Sequence, residues 1–149
     1  MTFKEDLTNW KLTEKQFAKM LIDKGAQSIE LAPNGKFKDW DIKSVFLCNW
    51  VPKDITWEVK DDKISSETWN IGIEFRCFWK PSGIYTSKAD YIVYHLDNKF
   101  YYQNRWALLY NINNVQKTIK TGWDYDGSEM YVISKSYLDK LFKERWKTW

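Results

Sequence analysis

The sequence predicts an α/β fold in which one mixed β-sheet is flanked by helices. Segments in which apolar and polar residues alternate are typical of half-buried strands, and they occur at 41–60, 70–79 and 91–103. Segments with apolar residues three or four positions apart are typical of helices, and they follow positions 13, 104 and 136. The chain has 149 residues and no linker-like stretch, so we expect a single domain, 1–149.

The first of these helices is predicted to begin at Thr13, which would be the N-cap of a capping box closed by Gln16. An apolar stripe follows, formed by Phe17, Met20 and Leu21. Gly25 is a natural C-terminal cap. A first strand is expected after this helix, at 28–32.

A β-hairpin is predicted to follow at 41–60. Its first strand covers 41–48 and begins with Asp41. The turn signal is Pro52-Lys53-Asp54, and the second strand runs to Lys60. Pairing of the two strands in an antiparallel hairpin brings Asp41 back toward the end of the second strand.

The second strand of this hairpin carries opposite chemistry on its two faces. Trp57 and Val59 would point into the core, which leaves Glu58 and Lys60 on the other face. Together with Asp41, these residues would place two carboxylates and a lysine at one end of the sheet.

This set suits the hydrolysis of a phosphodiester. Mg²⁺ prefers oxygen ligands, often one or two carboxylates completed by waters and phosphate oxygens. The metal neutralises charge that grows on the phosphate and lowers the pKa of the attacking water. In this interpretation Asp41 and Glu58 hold the metal, and Lys60 orients or deprotonates the water. The alternative is an exposed cross-strand ion pair without a catalytic role.

The next strands are expected to belong to the same sheet. Residues 70–79 are predicted to form its third strand, which Lys80-Pro81-Ser82-Gly83 would end. Residues 91–96 and 100–103 are predicted to form a second hairpin around Asp97-Asn98-Lys99.

The C-terminal part is predicted to alternate between helix and strand. Asn104 can cap a helix that ends near Gly122. A last short strand is expected at 131–134, and Ser136 opens a terminal helix.

The composition permits a nucleic-acid partner without requiring one. The net charge is +3, and ten tryptophans contribute to an aromatic content of 18%. Aromatic side chains fill cores but also stack on bases. Cys48 and Cys77 lie in strand-like segments and form no zinc pattern with the single His95. We therefore expect both cysteines to be reduced and buried, and His95 to be structural.

No segment of about 18 consecutive apolar residues and no signal-peptide pattern occurs in the sequence. We therefore expect a soluble protein in the cytoplasm that does not associate with a membrane.

The order of helix, strand beginning with Asp and strand with Glu-x-Lys resembles the PD-(D/E)XK nuclease superfamily. Further stretches are similar to a phage-associated group of small endonucleases, namely Glu58-Val59-Lys60-Asp61-Asp62, Ile73-Glu74-Phe75, Lys80-Pro81-Ser82-Gly83-Ile84 and Thr86-Ser87-Lys88-Ala89-Asp90-Tyr91. The resemblance covers about residues 13–96. It implies a restriction-endonuclease-like core and a DNA endonuclease that uses Mg²⁺, with Mn²⁺ able to substitute.

The resemblance also implies roles for individual residues. Asp41 and Glu58 match the metal ligands of the superfamily, and Lys60 matches its catalytic lysine. All three would act in catalysis. Asp39 is a rival for the place of Asp41, because it lies on the same strand face. The chain departs from the superfamily's pattern in that Trp40, and not proline, precedes Asp41. Further candidates for the site are Glu14, Asp39, Glu74 and Lys88. The basic residues expected to contact DNA are Lys88, Arg105, Lys140 and Lys143.

Two other functions are compatible with the sequence. One is a catalytically silent nuclease fold that binds DNA or assists assembly. The other is an aromatic-rich protein that binds single-stranded nucleic acid and needs no acidic residues. Cleavage of both strands of a duplex would favour a homodimer. The sequence does not distinguish duplex, branched and single-stranded substrates.

Overall fold

A computed structural model of the chain describes residues 3–32, 39–61, 68–77, 80–121 and 128–147. The helices are α1 (Phe3–Asp23), α2 (Arg105–Asn113) and α3 (Leu138–Leu141), and 3-10 turns lie at Gly83–Tyr85 and Lys135–Tyr137. The strands are β1 (Ser28–Leu31), β2 (Ile42–Cys48), β3 (Val51–Asp61), β4 (Asn70–Cys77), β5 (Lys80–Pro81), β6 (Tyr91–Leu96), β7 (Lys99–Asn104), β8 (Thr118–Thr121), β9 (Ser128–Ser134) and β10 (Glu144–Lys147).

The strands form two sheets, of six and four strands. The larger has the order β1-β2-β3-β6-β7-β10 and the smaller the order β5-β4-β9-β8. Strands β3 and β6 run parallel, whereas the other paired strands of the described ranges run antiparallel. The prediction of an α/β protein with a mixed sheet and flanking helices is therefore confirmed, but the prediction of a single sheet is wrong, because the strands divide into two sheets.

The prediction that 70–79 belongs to the same sheet is wrong, since β4 pairs with β9 in the smaller sheet. Alternation along β4 does reflect burial, because Ile71, Ile73 and Phe75 are buried. Alternation shows that a strand has one buried face, but it carries no information about the pairing partner. Lys80 and Pro81 also do not end the strand region, because they pair back onto β4 as β5. Residues 78–79 lie outside the described ranges.

Helix α1 packs on one face of the six-stranded sheet. Its side chains Phe17, Ala18, Met20 and Leu21 form one hydrophobic cluster with Ile42, Trp57, Val93 and Phe100 of the sheet. The predicted stripe and C-cap are confirmed. Gly25 has φ +107°, and the N–H of Ala26 donates to the carbonyl of Leu21 at 2.9 Å.

The predicted N-cap of this helix is wrong. The helix already begins at Phe3, so Thr13 lies within it. The Thr13 hydroxyl donates to the carboxylate of Asp61 at 3.0 Å, and the residue is 5% exposed. A threonine inside a helix and a threonine at its start give the same local pattern with Gln16, which explains the error.

The opposite face of the six-stranded sheet is covered by the smaller sheet and helix α2. Along β6, Ile92, Tyr94 and Leu96 belong to a second hydrophobic cluster, whereas Val93 belongs to the α1 cluster. The second cluster also contains Ile71, Ile73 and Ile133 of the smaller sheet and Leu108 and Ile112 of α2. Strand β6 therefore lies in the centre of the molecule, as its run of buried residues indicates.

The predicted hairpin at 41–60 is confirmed, with Ile42 opposite Trp57 and Cys48 opposite Val51. Its turn lies at Asn49-Trp50 rather than at 52–54. Both turn residues have positive φ, 52° and 67°, as a two-residue hairpin requires. Pro52 is the second residue of β3 and lies opposite Leu47. A proline is tolerated there because it lies close to the end of the strand.

The second predicted hairpin, β6–β7, is also confirmed, and its turn lies at Asp97-Asn98. Asn104 caps α2 as expected, because its Oδ1 accepts hydrogen bonds from the N–H groups of Trp106 and Ala107. The helix ends at Asn113, however, and Ile119 is 61% exposed in β8. Residue 122, where the helix was expected to end, lies outside the described ranges.

The C-terminus also differs from the prediction. The helix expected from Ser136 is a 3-10 turn followed by the single turn of α3. The chain then continues as β10, which pairs with β7 at the edge of the six-stranded sheet. Cys48 is exposed rather than buried, and the side chain of Cys77 is not described. Over the described ranges, the helices are too short or too polar to cross a membrane.

Candidate active site

Asp41 precedes β2 and is held across the hairpin by β3. Its N–H donates to the carbonyl of Trp57 at 2.9 Å. Its Oδ2 accepts a hydrogen bond from the N–H of Val59 at 2.7 Å. The backbone of β3 therefore fixes the Asp41 carboxylate next to Glu58, as predicted from the hairpin.

Glu58 and Lys60 lie on the face of β3 opposite Trp57. Their side chains form an ion pair, with Nζ 3.6 Å from Oε1. The Glu58 side chain is 16% exposed and the Lys60 side chain is 45% exposed. The strand register that produces this arrangement is anchored by Trp57, which is 4% exposed and donates its Nε1–H to the Ser44 hydroxyl at 2.8 Å.

The charge on Asp41 is in a partly desolvated place. Burial is the largest influence and raises the pKa of the Asp41 carboxyl, whereas the hydrogen bond from the N–H of Val59 lowers it. Of the neighbouring charges, Glu58 raises this pKa and Lys60 lowers it. The net direction is upward. A cation bound between this carboxylate and that of Glu58 would stabilise the ionised form of both.

These three residues open into a cleft of about 600 Å³. One side of the cleft is formed by α1, β3 and β6, and the other by strands β4, β8 and β9 of the smaller sheet. Among the described residues, the acidic ones that line it are Glu14, Asp41, Glu58, Asp61 and Glu74. The described basic ones are Lys60 and Lys120, and most of the other described lining residues are apolar.

Two of the additional candidates, Glu14 and Glu74, line this cleft. Glu74 accepts a hydrogen bond from the Ser82 hydroxyl at 3.0 Å. The pairing of β4 with β9 shifts register between Glu74 and Arg76, which forms a bulge in β4. The 3-10 turn that begins at Gly83 packs against Glu74 at this bulge. The stretch Lys80-Pro81-Ser82-Gly83-Ile84 therefore supports one wall of the cleft.

Asp39 and Lys88 do not line the cleft. They pair with each other, with Nζ 3.7 Å from Oδ1, and their side chains are 48% and 74% exposed. The rest of the Thr86–Tyr91 stretch joins strands, since Asp90 accepts hydrogen bonds from both the N–H and the hydroxyl of Thr56. Of the two rival ligands, the cleft contains Asp41.

The other basic candidates also lie away from the cleft lining. The Arg105 guanidinium stacks 4.4 Å from the centre of the Trp106 ring and donates to the carbonyl of Ile84 at 3.4 Å. Lys140 lies over the ring of Tyr137 at 5.5 Å. Lys143 is exposed and joins the backbone of β7 through its N–H. Their role in DNA contact stays a prediction.

Four residues near the site were not predicted to belong to it: Thr13, Asp61, His95 and Lys120. Asp61 connects two of them, because its Oδ2 accepts from Thr13 and its Oδ1 lies 3.3 Å from His95 Nδ1. His95 also stacks on Phe100 at 4.6 Å. Asp61 lies at the end of β3 and within the stretch Glu58-Val59-Lys60-Asp61-Asp62 that resembles small endonucleases, which is the sequence signal that could have identified it.

The fit of a metal can be assessed from the donors. Within the described ranges, no cluster of three or more His, Cys, Asp and Glu side chains is arranged to hold a metal. Zinc sites use such sets of three or four protein ligands. Mg²⁺ requires fewer protein ligands and keeps several waters. Carboxylate oxygens are ligands of the kind that Mg²⁺ prefers, so the donor chemistry of Asp41 and Glu58 is compatible with this ion.

Comparison of the chain with protein-family models, with curated proteins and with solved structures finds no match. The functional interpretation therefore depends on the residues and geometry of the cleft.

Proposed function

We propose that this protein is a Mg²⁺-dependent endonuclease that hydrolyses DNA phosphodiester bonds, with a core of the PD-(D/E)XK type. The observation that carries the proposal is the position of Asp41, Glu58 and Lys60 on paired strands at one cleft. Two carboxylates beside one ammonium group match the requirements of metal-assisted phosphodiester hydrolysis.

Asp41 and Glu58 are the residues that would hold the metal. Bound Mg²⁺, or Mn²⁺ in its place, supplies positive charge for the phosphate and a lower pKa for the attacking water. The hydrogen bond from the N–H of Val59 holds one oxygen of Asp41 in a fixed direction. The partial burial of Glu58 limits the solvent that would compete for its oxygens.

Lys60 would act on the water and on the phosphate. Its side chain is 45% exposed at the cleft, so its ammonium group can reach a ligand while the pair with Glu58 limits its freedom. As an ammonium group it would orient the attacking water and compensate charge on the phosphate oxygens, whereas taking a proton from the water would require the neutral amine.

The decisive experiment compares Lys60→Ala with the matched control Lys43→Ala. Lys43 lies on the same hairpin and pairs with Asp54 at 3.7 Å, but it does not line the cleft. We expect Lys60→Ala to lower single-turnover cleavage in Mg²⁺ by roughly 100-fold or more, with DNA affinity in Ca²⁺ nearly unchanged. Lys43→Ala should cleave like the wild type. Full activity of Lys60→Ala would remove the catalytic role.

A second candidate is favoured by the exposed indoles of Trp50 and Trp106, which are 90% and 69% exposed. Such rings can stack on bases, so the chain would then be a binder of single-stranded nucleic acid. This function requires neither Asp41 nor Glu58. Unchanged nucleic-acid binding after titration with a chelator, in a protein that never cleaves DNA, would support it.

A further inference from the structure

We infer that the cleft accepts one unpaired DNA strand, so that the substrate is DNA with a single-stranded segment at the cleaved bond rather than an intact duplex. This inference rests on the proposed function and specifies its substrate. Three properties of the cleft support it: the depth of its carboxylates, its volume and the chemistry of its walls.

The carboxylates lie inside the cleft rather than on an open surface. The Glu58 side chain is only 16% exposed, and Asp41 is half-buried. A phosphodiester therefore reaches these oxygens by entering the cleft. The nucleotide that carries the phosphodiester must enter with it.

The volume of the cleft, about 600 Å³, is that of a small-molecule site. A nucleotide belongs to this size class. A duplex does not, since two paired strands with stacked bases would have to enter together. Enzymes that do chemistry on a base in a pocket take that base from a single strand or move it out of the stack, and we apply the same requirement to a phosphodiester that must enter this cleft.

The walls indicate that a base or sugar is accommodated, and not only a phosphate. The half-buried apolar side chains of the lining include Met130 and Val132, whereas Ile71, Ile84 and Ile92 belong to the core and are each at most 4% exposed. Gly72 lies directly beside Met130, since a Cβ there would be 3.1 Å from its sulfur. A base or sugar in the cleft can therefore contact Met130 and Val132.

The first test uses the wild-type protein and four DNAs of equal length. The first is a single strand of dT, and the second is a duplex whose two ends are covalently closed without an unpaired loop. The third is the same closed duplex with a single-stranded flap. The fourth is the same closed duplex with an unpaired bulge. In Mg²⁺ we expect cleavage of the single strand and at the flap and bulge, at least about 100-fold faster than cleavage of the closed duplex. In Ca²⁺ the affinity should follow the same order.

The second test narrows the cleft. Val132→Trp places a large ring in the lining, and Ile119→Trp places the same ring on the adjacent strand at a side chain that is 61% exposed and does not line the cleft. We expect Val132→Trp to weaken single-strand binding in Ca²⁺ by roughly 10-fold or more, and Ile119→Trp to leave it within about twofold. Thermal unfolding verifies that both variants fold, and the wild-type comparison needs no variant.

The outcomes separate the two proposals. Equal cleavage of closed duplex and flap DNA would overturn the single-strand inference and keep the nuclease. Wild-type binding by a folded Val132→Trp protein would also overturn the inference. If no DNA is cleaved in Mg²⁺ or Mn²⁺ but single strands still bind better than closed duplex and Val132→Trp weakens them, the nuclease fails and the cleft retains its specificity for unpaired strands.

Discussion

The Asp41 carboxylate is the residue at which stability and the proposed activity conflict. Burial and the neighbouring charge of Glu58 raise its pKa, so the folded protein binds this proton more tightly than the unfolded chain does. The stabilising effect of that proton is fully present below about pH 4, the ordinary pKa of an aspartate. It is lost as the pH rises through the raised pKa of the folded state.

Replacing Asp41 with Asn should therefore stabilise the metal-free protein at pH 7. The amide oxygen can still accept the hydrogen bond from Val59, and no charge has to be buried. We expect the free energy of unfolding of Asp41→Asn to exceed that of the wild type at pH 7, and the difference to shrink toward pH 4. Urea unfolding at several pH values measures it. A variant less stable than the wild type at pH 7 would show that the carboxylate is stabilising.

Trp57 is the residue on which the orientation of the hairpin depends. Its ring contacts Phe17, Tyr91 and Tyr102, with centroid distances of 5.2, 4.8 and 5.7 Å. We expect Trp57→Ala to lower the free energy of unfolding by about 3–5 kcal/mol, as for other large buried aromatic side chains. Trp106→Ala, at an indole that is 69% exposed, should change it by less than about 1 kcal/mol. Equal losses in urea unfolding would contradict this core position of Trp57.

The same residues show which part of the site the sequence could predict. Asp41, Glu58 and Lys60 belong to one hairpin, so local alternation and antiparallel pairing were sufficient to bring them together. Thr13 and His95 meet at Asp61 from sequence distances of 48 and 34 residues. Such contacts depend on how α1 and β6 pack on β3, which no local pattern encodes.

Among the elements, the 3-10 turn at Gly83–Tyr85 is the one that depends most on a single residue. Gly83 has φ +54°, and a Cβ at this position would lie 2.3 Å from the backbone oxygen of Glu74. The turn can approach β4 this closely only because Gly83 has no side chain. This approach supports the bulge that holds Glu74 at the cleft.

Gly83→Ala should therefore destabilise the protein by about 2–5 kcal/mol, from backbone strain together with the clash. Gly25→Ala is the matched control, because Gly25 also has positive φ but no atom lies within 4 Å of the added Cβ. It should lose only about 1–2 kcal/mol. If both variants lost the same amount in urea unfolding, the contact with Glu74 would contribute nothing.

The errors at the level of elements have a common physical origin. Asn104 starts α2 through a local hydrogen bond, which the sequence shows. The sequence does not show where α2 ends, because Val115 lies beyond the last helical residue, is buried and continues the apolar spacing of the helix. Likewise β10 is a strand because β7 offers it a free edge, although its residues follow a helical turn.

At the scale of the whole molecule, a metal that binds the folded protein should raise its stability to unfolding. A ligand held by the folded state alone stabilises it by about 2.7 kcal/mol at a concentration 100 times its Kd. For a chain of this size, Mn²⁺ should raise the melting temperature by roughly 5–10 °C. Asp41→Asn should show no such shift in scanning calorimetry, and Asp39→Asn should behave like the wild type. The reverse result would make Asp39 the ligand.

The position of β4 in the chain has a consequence for synthesis. Strand β4 lies between the parallel strands β3 and β6 in sequence, but its partner β9 follows only after α2. At about 5–20 residues per second, a ribosome needs roughly 3–10 s to make the intervening chain. During this time the nascent chain carries Ile71, Ile73 and Phe75 without the partner strand that later pairs with them. A chain interrupted before Ser128 would contain the acidic hairpin but lack β9, which joins β4 to β8 in the smaller sheet and supplies Met130 and Val132 to the cleft. Truncated translation products should therefore be unable to position a substrate.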